Sequence, residues 1–146
     1  SEDIGNADPR ALQVAVSALQ AFQLVGMPEG RIILGQAVTY LATAPKSNAS
    51  YVAIDAALSE VRKSGALPVP LHIRNAPTRL MKELGYGSGY RYAHASEEGY
   101  LPQEHLPDEL AGRKFYRPTR HGYERNISER LEFIEKLKQG ESAEEK

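Results

Sequence analysis

Residues 11–28 carry no charged side chain, and after Glu29, Gly30 and Arg31 a second run, 32–45, carries none either. Both runs are punctuated for helix. Asp8-Pro9 supplies an N-cap and a first helical residue, Gly26 a left-handed stop, Pro28 a new start and Pro45 a barrier. The spacing predicts helices of about 9–25 and 28–44 joined by a Gly-Met-Pro turn, an α-helical hairpin. In the first helix Leu12, Val16, Leu19 and Phe22 form one apolar stripe and Val14, Ala18, Ala21 and Val25 a second, with only uncharged Gln13, Ser17 and Gln20 between them. The second helix repeats Ile33, Ala37, Tyr40, Leu41 and Ala44. A helix without a charged face must be covered on more than one side. That cover is the rest of the domain or another subunit, and some of it is expected from another copy of the chain, met through Val14, Ala18, Ala21, Val25, Ile33, Ala37 and Tyr40. The glutamines at 13, 20 and 23, with Gly26 and Pro28, argue against reading the first run as a membrane span.

The remaining chain also reads as helix and loop. The connector Pro45-Lys46-Ser47-Asn48 supplies a cap for a third long helix, about 48–64, with Tyr51, Ile54, Leu58 and Val61 on one face and Gly65 as its stop. Pro68 and Pro70 predict an extended stretch from Leu67 to Ile73. Asn75 is the expected cap of a short helix reaching Leu84, with Gly85 ending it. A Gly/Tyr-rich ordered loop is expected over 86–106, a short helix near 107–112, a turned FYRPTRHG segment, and a C-terminal helix of about 122–138 with Ile127, Leu131, Ile134 and Leu137 inward. The fold class is all-α.

Charge and composition exclude more than they assign. The 146 residues carry a net charge of −1 and no cysteine, which removes disulfides, thiolate metal sites and cysteine nucleophiles and fits a reducing, cytoplasmic setting. The acidic start SEDIGNADPR lacks the pattern of a secretory signal. Basic residues gather in two blocks, Arg74, Arg79, Lys82 and Arg91, then Arg113, Lys114, Arg117, Arg120 and Arg125. Acids lead from Asn126 onward.

The apparent catalytic motifs fail on geometry. Gly85, Gly87 and Gly89 follow a helix, whereas a phosphate cradle opens one so that its amides converge on the anion. The glycines are expected instead to supply positive backbone dihedrals in a tyrosine-packed crossing. Gly30 to Ala37 has the glycine spacing of a Walker A loop, but Gln36 and Ala37 stand where lysine and a hydroxyl are required. His72, His94, His105 and His121 never fall at ligand spacing, and no G-x-S-x-G elbow exists. Glu97-Glu98 and Asp108-Glu109 read as solvated charge. No catalytic, cofactor or metal residue is assigned. Tyr86 and Tyr90, interleaved with Arg74, Arg79, Lys82 and Arg91, have the composition of a single-stranded DNA site, of a protein interface and of ordinary core packing alike.

At these residues the sequence resembles the C-terminal region of the RarA/MgsA family, replication-associated recombination ATPases related to clamp loaders. The resemblance is carried by SEDIGNADPRAL, YLATAPKSNASY, VPLHIRNAPTRLMKELGYGSGYRYAH and FYRPTRHGYE. It implies a clamp-loader-collar-like helical module, with residues 1–7 as the end of a lid region or linker and 8–139 as an oligomerisation domain; the acidic tail, 140–146, lies outside the resemblance and is expected to be disordered from its own composition. It further implies a homotetramer, no catalysis in this part of the protein, ATP and Mg held by an ATPase domain elsewhere, and association of the complete protein with DNA and single-strand-binding protein at stalled forks.

Overall fold

The structure, a computed structural model, describes residues 1–92 and 100–139. Its regular elements there are helical throughout: α1 (Arg10–Val25), α2 (Gly30–Thr43), α3 (Ala49–Ser64), α4 (Arg79–Glu83) and α5 (Glu124–Lys138), with 3-10 turns at Gly5–Ala7, Leu71–Ile73 and Asp108–Leu110. No strand occurs among the described residues, so the fold is all-α as expected. The expected tail at 140–146, His94 and the Glu97-Glu98 pair lie outside the described residues.

The chain divides into two compact units, the first built from Ser1–Leu58 and Phe115–Leu131. In this unit the punctuation works as its chemistry requires. Asp8 Oδ1 accepts the Arg10 amide at 3.0 Å and so caps α1, while Gly26, at φ +70°, closes it by donating its amide to the Phe22 carbonyl. Gly30 opens α2 against the Phe22 ring, which would lie 2.6 Å from any Cβ placed there. Lys46 Nζ donates to the carbonyls of Leu41 and Ala44, at 2.7 and 2.8 Å, putting a cation on the negative end of α2. Ser47 Oγ accepts the Ala49 amide at the start of α3.

What this unit encloses is small. The buried apolar side chains are Ile4 and six alanines, Ala7, Ala11, Ala18, Ala37, Ala44 and Ala49, with Leu41 packed against the Ile4, Ala11 and Ala44 cluster. The lead-in residues take part: Ile4 and Ala7 are buried, the Asp3 carbonyl accepts the Ser47 amide, and the Ala7 carbonyl accepts that of Tyr123. Beside them, Glu124 is fully buried, and four donors hold its carboxylate. Ser47 Oγ, Thr119 N and Thr119 Oγ1 reach Oε2 at 2.7, 2.8 and 2.6 Å, and the Tyr116 hydroxyl reaches Oε1 at 2.7 Å. Tyr116 in turn accepts from Asn6, which also donates to Ser50.

The second unit comprises Ser59–Lys114 and the chain from Glu132 on. Here several boundaries differ from the sequence reading. The short helix begins at Arg79 under Thr78, whose Oγ1 accepts the Met81 amide, and not under Asn75, because Pro77 disfavours helical dihedrals at Ala76. Leu71–Ile73 forms a 3-10 turn within the stretch expected to be extended, since the two prolines restrict only Leu67 and Val69. The helix expected at 107–112 is a single 3-10 turn, Asp108–Leu110, tied down by Glu104. The Glu104 carboxylate accepts the amides of His105, Leu106 and Gly112, and these bonds, that of Leu106 foremost, hold its pKa below the ordinary carboxylate value. Gly85, Gly87 and Gly89 all have positive φ, which only glycine adopts readily.

Candidate self-association surface

The two apolar stripes of α1 have different fates, and side-chain size explains which goes where. Ala18 on α1 and Ala37 on α2 are buried where the hairpin helices meet, since alanine lets helix axes approach closely. Val14, Ala18, Ala21, Ile33 and Ala37 line one shallow groove of about 380 Å³ on the hairpin, with Gln13, Ser17 and Gln36 at its edges and no charge in its lining. Five of the residues expected at a subunit interface therefore do come together. Ala18 and Ala37 are themselves buried in the single chain, yet both line the groove. Tyr40 is a strut within the hairpin, its hydroxyl donating to Asp8 Oδ2 at 2.7 Å, a bond that raises its pKa. Val25 stands exposed at the end of α1.

Of the bulky stripe, Phe22 packs on Gly30 and the other three side chains are left outside. Leu12 and Leu19 are each 56% exposed and Leu24 87%; on α2, Ile32 and Val38 are exposed by 67% and 66%. Val16, Leu34 and, on α3, Val52, Ile54 and Leu58 are exposed as well. A single exposed leucine is ordinary on any surface, but this density around an alanine interior is not. Sequence periodicity alone could not assign the stripes, because both are apolar. Size could have: the small-residue stripe suits the close hairpin contact and leaves the large one over.

The basic and aromatic candidates of the second unit do not form one cluster of packed side chains. The Arg74 guanidinium lies over the Tyr86 ring, 5.0 Å from its centroid, and its Nε donates to the Val69 carbonyl at 2.5 Å. Arg79 pairs with Glu83 at 2.8 Å along α4. Lys82, Tyr90 and Arg91 are exposed, and the Arg91 carbonyl accepts from Gln103. These six candidates are thus split between a packed pair, a helix-surface ion pair and three solvated side chains.

Among the described residues, neither glycine motif forms a seat for ATP or Mg. Gly85 follows the carbonyl end of α4, the Gly87 position faces the Arg74 carbonyl, and Gly30–Ala37 is continuous helix. Among the described residues no group of three or more histidine, aspartate or glutamate side chains is arranged to hold a metal. No helix there is long and apolar enough to cross a membrane.

The family model for MgsA AAA+ ATPase C termini matches residues 1–135. A protein named Replication-associated recombination protein A from Coxiella burnetii is 54% identical over 138 residues, covering 94% of this chain and 31% of the relative. The protein of that name from Escherichia coli is 51% identical over 135 residues, 92% of this chain and 30% of the relative. The one from Bacillus subtilis is 40% identical over 121 residues, 83% and 29% respectively. The chain thus spans about three-tenths of the length of these relatives.

Proposed function

The chain belongs to the MgsA AAA+ ATPase C-terminal family, and from that premise we propose that it is the part of a larger ATPase through which copies of the protein assemble, as a homotetramer. The observation that carries this reading is the inversion between inside and outside in the first unit. Its interior is Ile4 and alanine, while Leu12, Leu19, Leu24, Ile32 and Val38 face out. Burying a leucine or isoleucine side chain contributes about 1.5–3 kcal/mol. A handful of these covered by a neighbouring copy exceeds what the hairpin gains from its own alanines. The groove over Ala18 and Ala37 offers an uncharged seat for such a side chain.

In this reading the chain performs no catalysis. ATP and Mg are handled by an ATPase domain outside this sequence, and the assembled protein acts in the cytoplasm on DNA during replication and recombination, with single-strand-binding protein as a partner. Light scattering on the 146-residue chain at micromolar concentration tests the assembly. A tetramer, or a dimer that doubles as concentration rises, is expected; a monomer throughout the range rejects the proposal.

A further inference from the structure

The second basic block is divided by the structure into cations that have partners and cations that do not. In the second unit, Arg113 is paired with Glu60, and Lys114 with Glu135 at 3.1 Å. In the first unit, Arg117, Arg120 and Arg125 are exposed and make no ion pair or side-chain hydrogen bond among the described residues. The acid that balances them on paper, Glu124, is fully buried, and both its oxygens are taken by Ser47, Tyr116 and Thr119. Positive charge therefore faces solvent from this turn, because the one carboxylate between 115 and 125, that of Glu124, is buried.

The turn that carries them is tied down at several points. Thr119 is held to Glu124 through both its amide and its hydroxyl, the Tyr123 amide is held to the Ala7 carbonyl, and Gly122 adopts φ +53° against that same carbonyl. Cations on a fixed backbone lose less freedom on binding than cations on a loose loop. A guanidinium fork donates to two phosphate oxygens at once. Tyr123, 52% exposed in the same turn, adds an aromatic face.

We propose that the Arg117–Arg125 turn is a contact site for single-stranded nucleic acid, with Arg117, Arg120 and Arg125 on the phosphodiester backbone and Tyr123 stacked on a base. An exposed ring gives a single strand something that a duplex, with its bases already stacked, does not use, and that an acidic polypeptide has no base to meet. The site goes beyond the self-association reading: its residues are not those of the apolar surface, so either can fail while the other holds.

The test is fluorescence anisotropy of a labelled single-stranded oligonucleotide titrated with the chain across a range of salt. The wild type should bind at low salt and weaken as salt rises. Arg117→Gln/Arg120→Gln/Arg125→Gln should lose at least about tenfold in affinity and lower the log–log salt slope by about 2, since each backbone contact on a single strand contributes roughly 0.7. The corresponding triple lysine variant should recover part of the loss, Tyr123→Ala should bind several-fold more weakly, and Arg79→Gln/Lys82→Gln should bind as the wild type does. Light scattering and thermal midpoint of these variants should be unchanged. The proposal is overturned by absence of binding at low salt, by an equal loss in the Arg79/Lys82 variant, by duplex bound as tightly as single strand, or by polyglutamate competing as well as the oligonucleotide.

Discussion

Ser47 and Glu124, 77 positions apart in the chain, meet through a 2.7 Å hydrogen bond from Oγ to Oε2, and around this bond the connector after α2, the turn before α5 and the lead-in residues are joined. A buried carboxylate with four donors is stable only while every donor is satisfied. Replacing Glu124 with Gln presents an amide N–H₂ to hydroxyls already arranged as donors. Glu124→Gln is expected to cost about 2–4 kcal/mol, because hydrogen bonds to a charged group are the strong ones and the groups left unpaired are buried. Urea denaturation at one fixed protein concentration measures it, and a change below about 0.5 kcal/mol, the scatter of ordinary surface substitutions, would show the network to be incidental.

The same residue gives the fold a pH dependence. Burial opposes ionisation of Glu124, but the bonds from Thr119, Ser47 and Tyr116 outweigh it and hold its carboxyl below the ordinary value. A depressed carboxylate pKa contributes stability that is fully present above the unfolded value of about 4.3 and is lost as pH falls through the folded one. Wild-type stability should therefore fall progressively as pH drops below about 5. Glu104, held low chiefly by the Leu106 amide, and Glu135, held low chiefly by Lys114, act in the same direction. Denaturation curves at stepped pH should show a shallower loss for Glu124→Gln than for the wild type.

Gly122 tests the attachment of the lead-in residues. A Cβ there would lie 2.1 Å from the Ala7 carbonyl oxygen, a backbone atom, at a φ of +53° that other residues adopt at a penalty. Gly122→Ala should destabilise the first unit by more than about 2 kcal/mol, combining left-handed strain with the close contact. Hydrogen exchange should locate the damage at the Ala7 and Tyr123 amides, with the α1–α2 pairing protected for longer.

Exposed apolar residues make the assembly testable one side chain at a time. Leu12→Asp and Leu19→Asp place a charge on the outer stripe of α1, where the lone chain has space and an interface does not. Each should weaken self-association by tenfold or more, on the order of 1.4 kcal/mol or above, with helical circular dichroism retained. Unchanged assembly in both variants would move the interface away from this stripe.

Much of this architecture is legible without coordinates because its signals are local. Asp8, Gly26, Pro45 and Gly65 each mark a helix end through their own backbone preferences, and the structure ends helices beside them. Competition between neighbouring signals is less legible: Asn75 and Thr78 are both good caps, and Pro77 decides between them by its effect on Ala76. The Glu124 centre has no local signature at all, since Ser47, Tyr116, Thr119 and Glu124 converge only once the turn before α5 has folded against the start of α3. Among the candidate contacts, the sequence supplied residue types but could not say that Arg74 would lie on Tyr86 or that Arg117 and Arg120 would lack partners.

The alanine interior of the hairpin has a consequence for handling the molecule. Methyl groups shield little oil from water, so most of the hydrophobic gain open to this polypeptide lies between molecules rather than within one. Under the assembly proposed here, dilution acts as a mild denaturant, and the melting temperature becomes a function of how much of the material is in the tube.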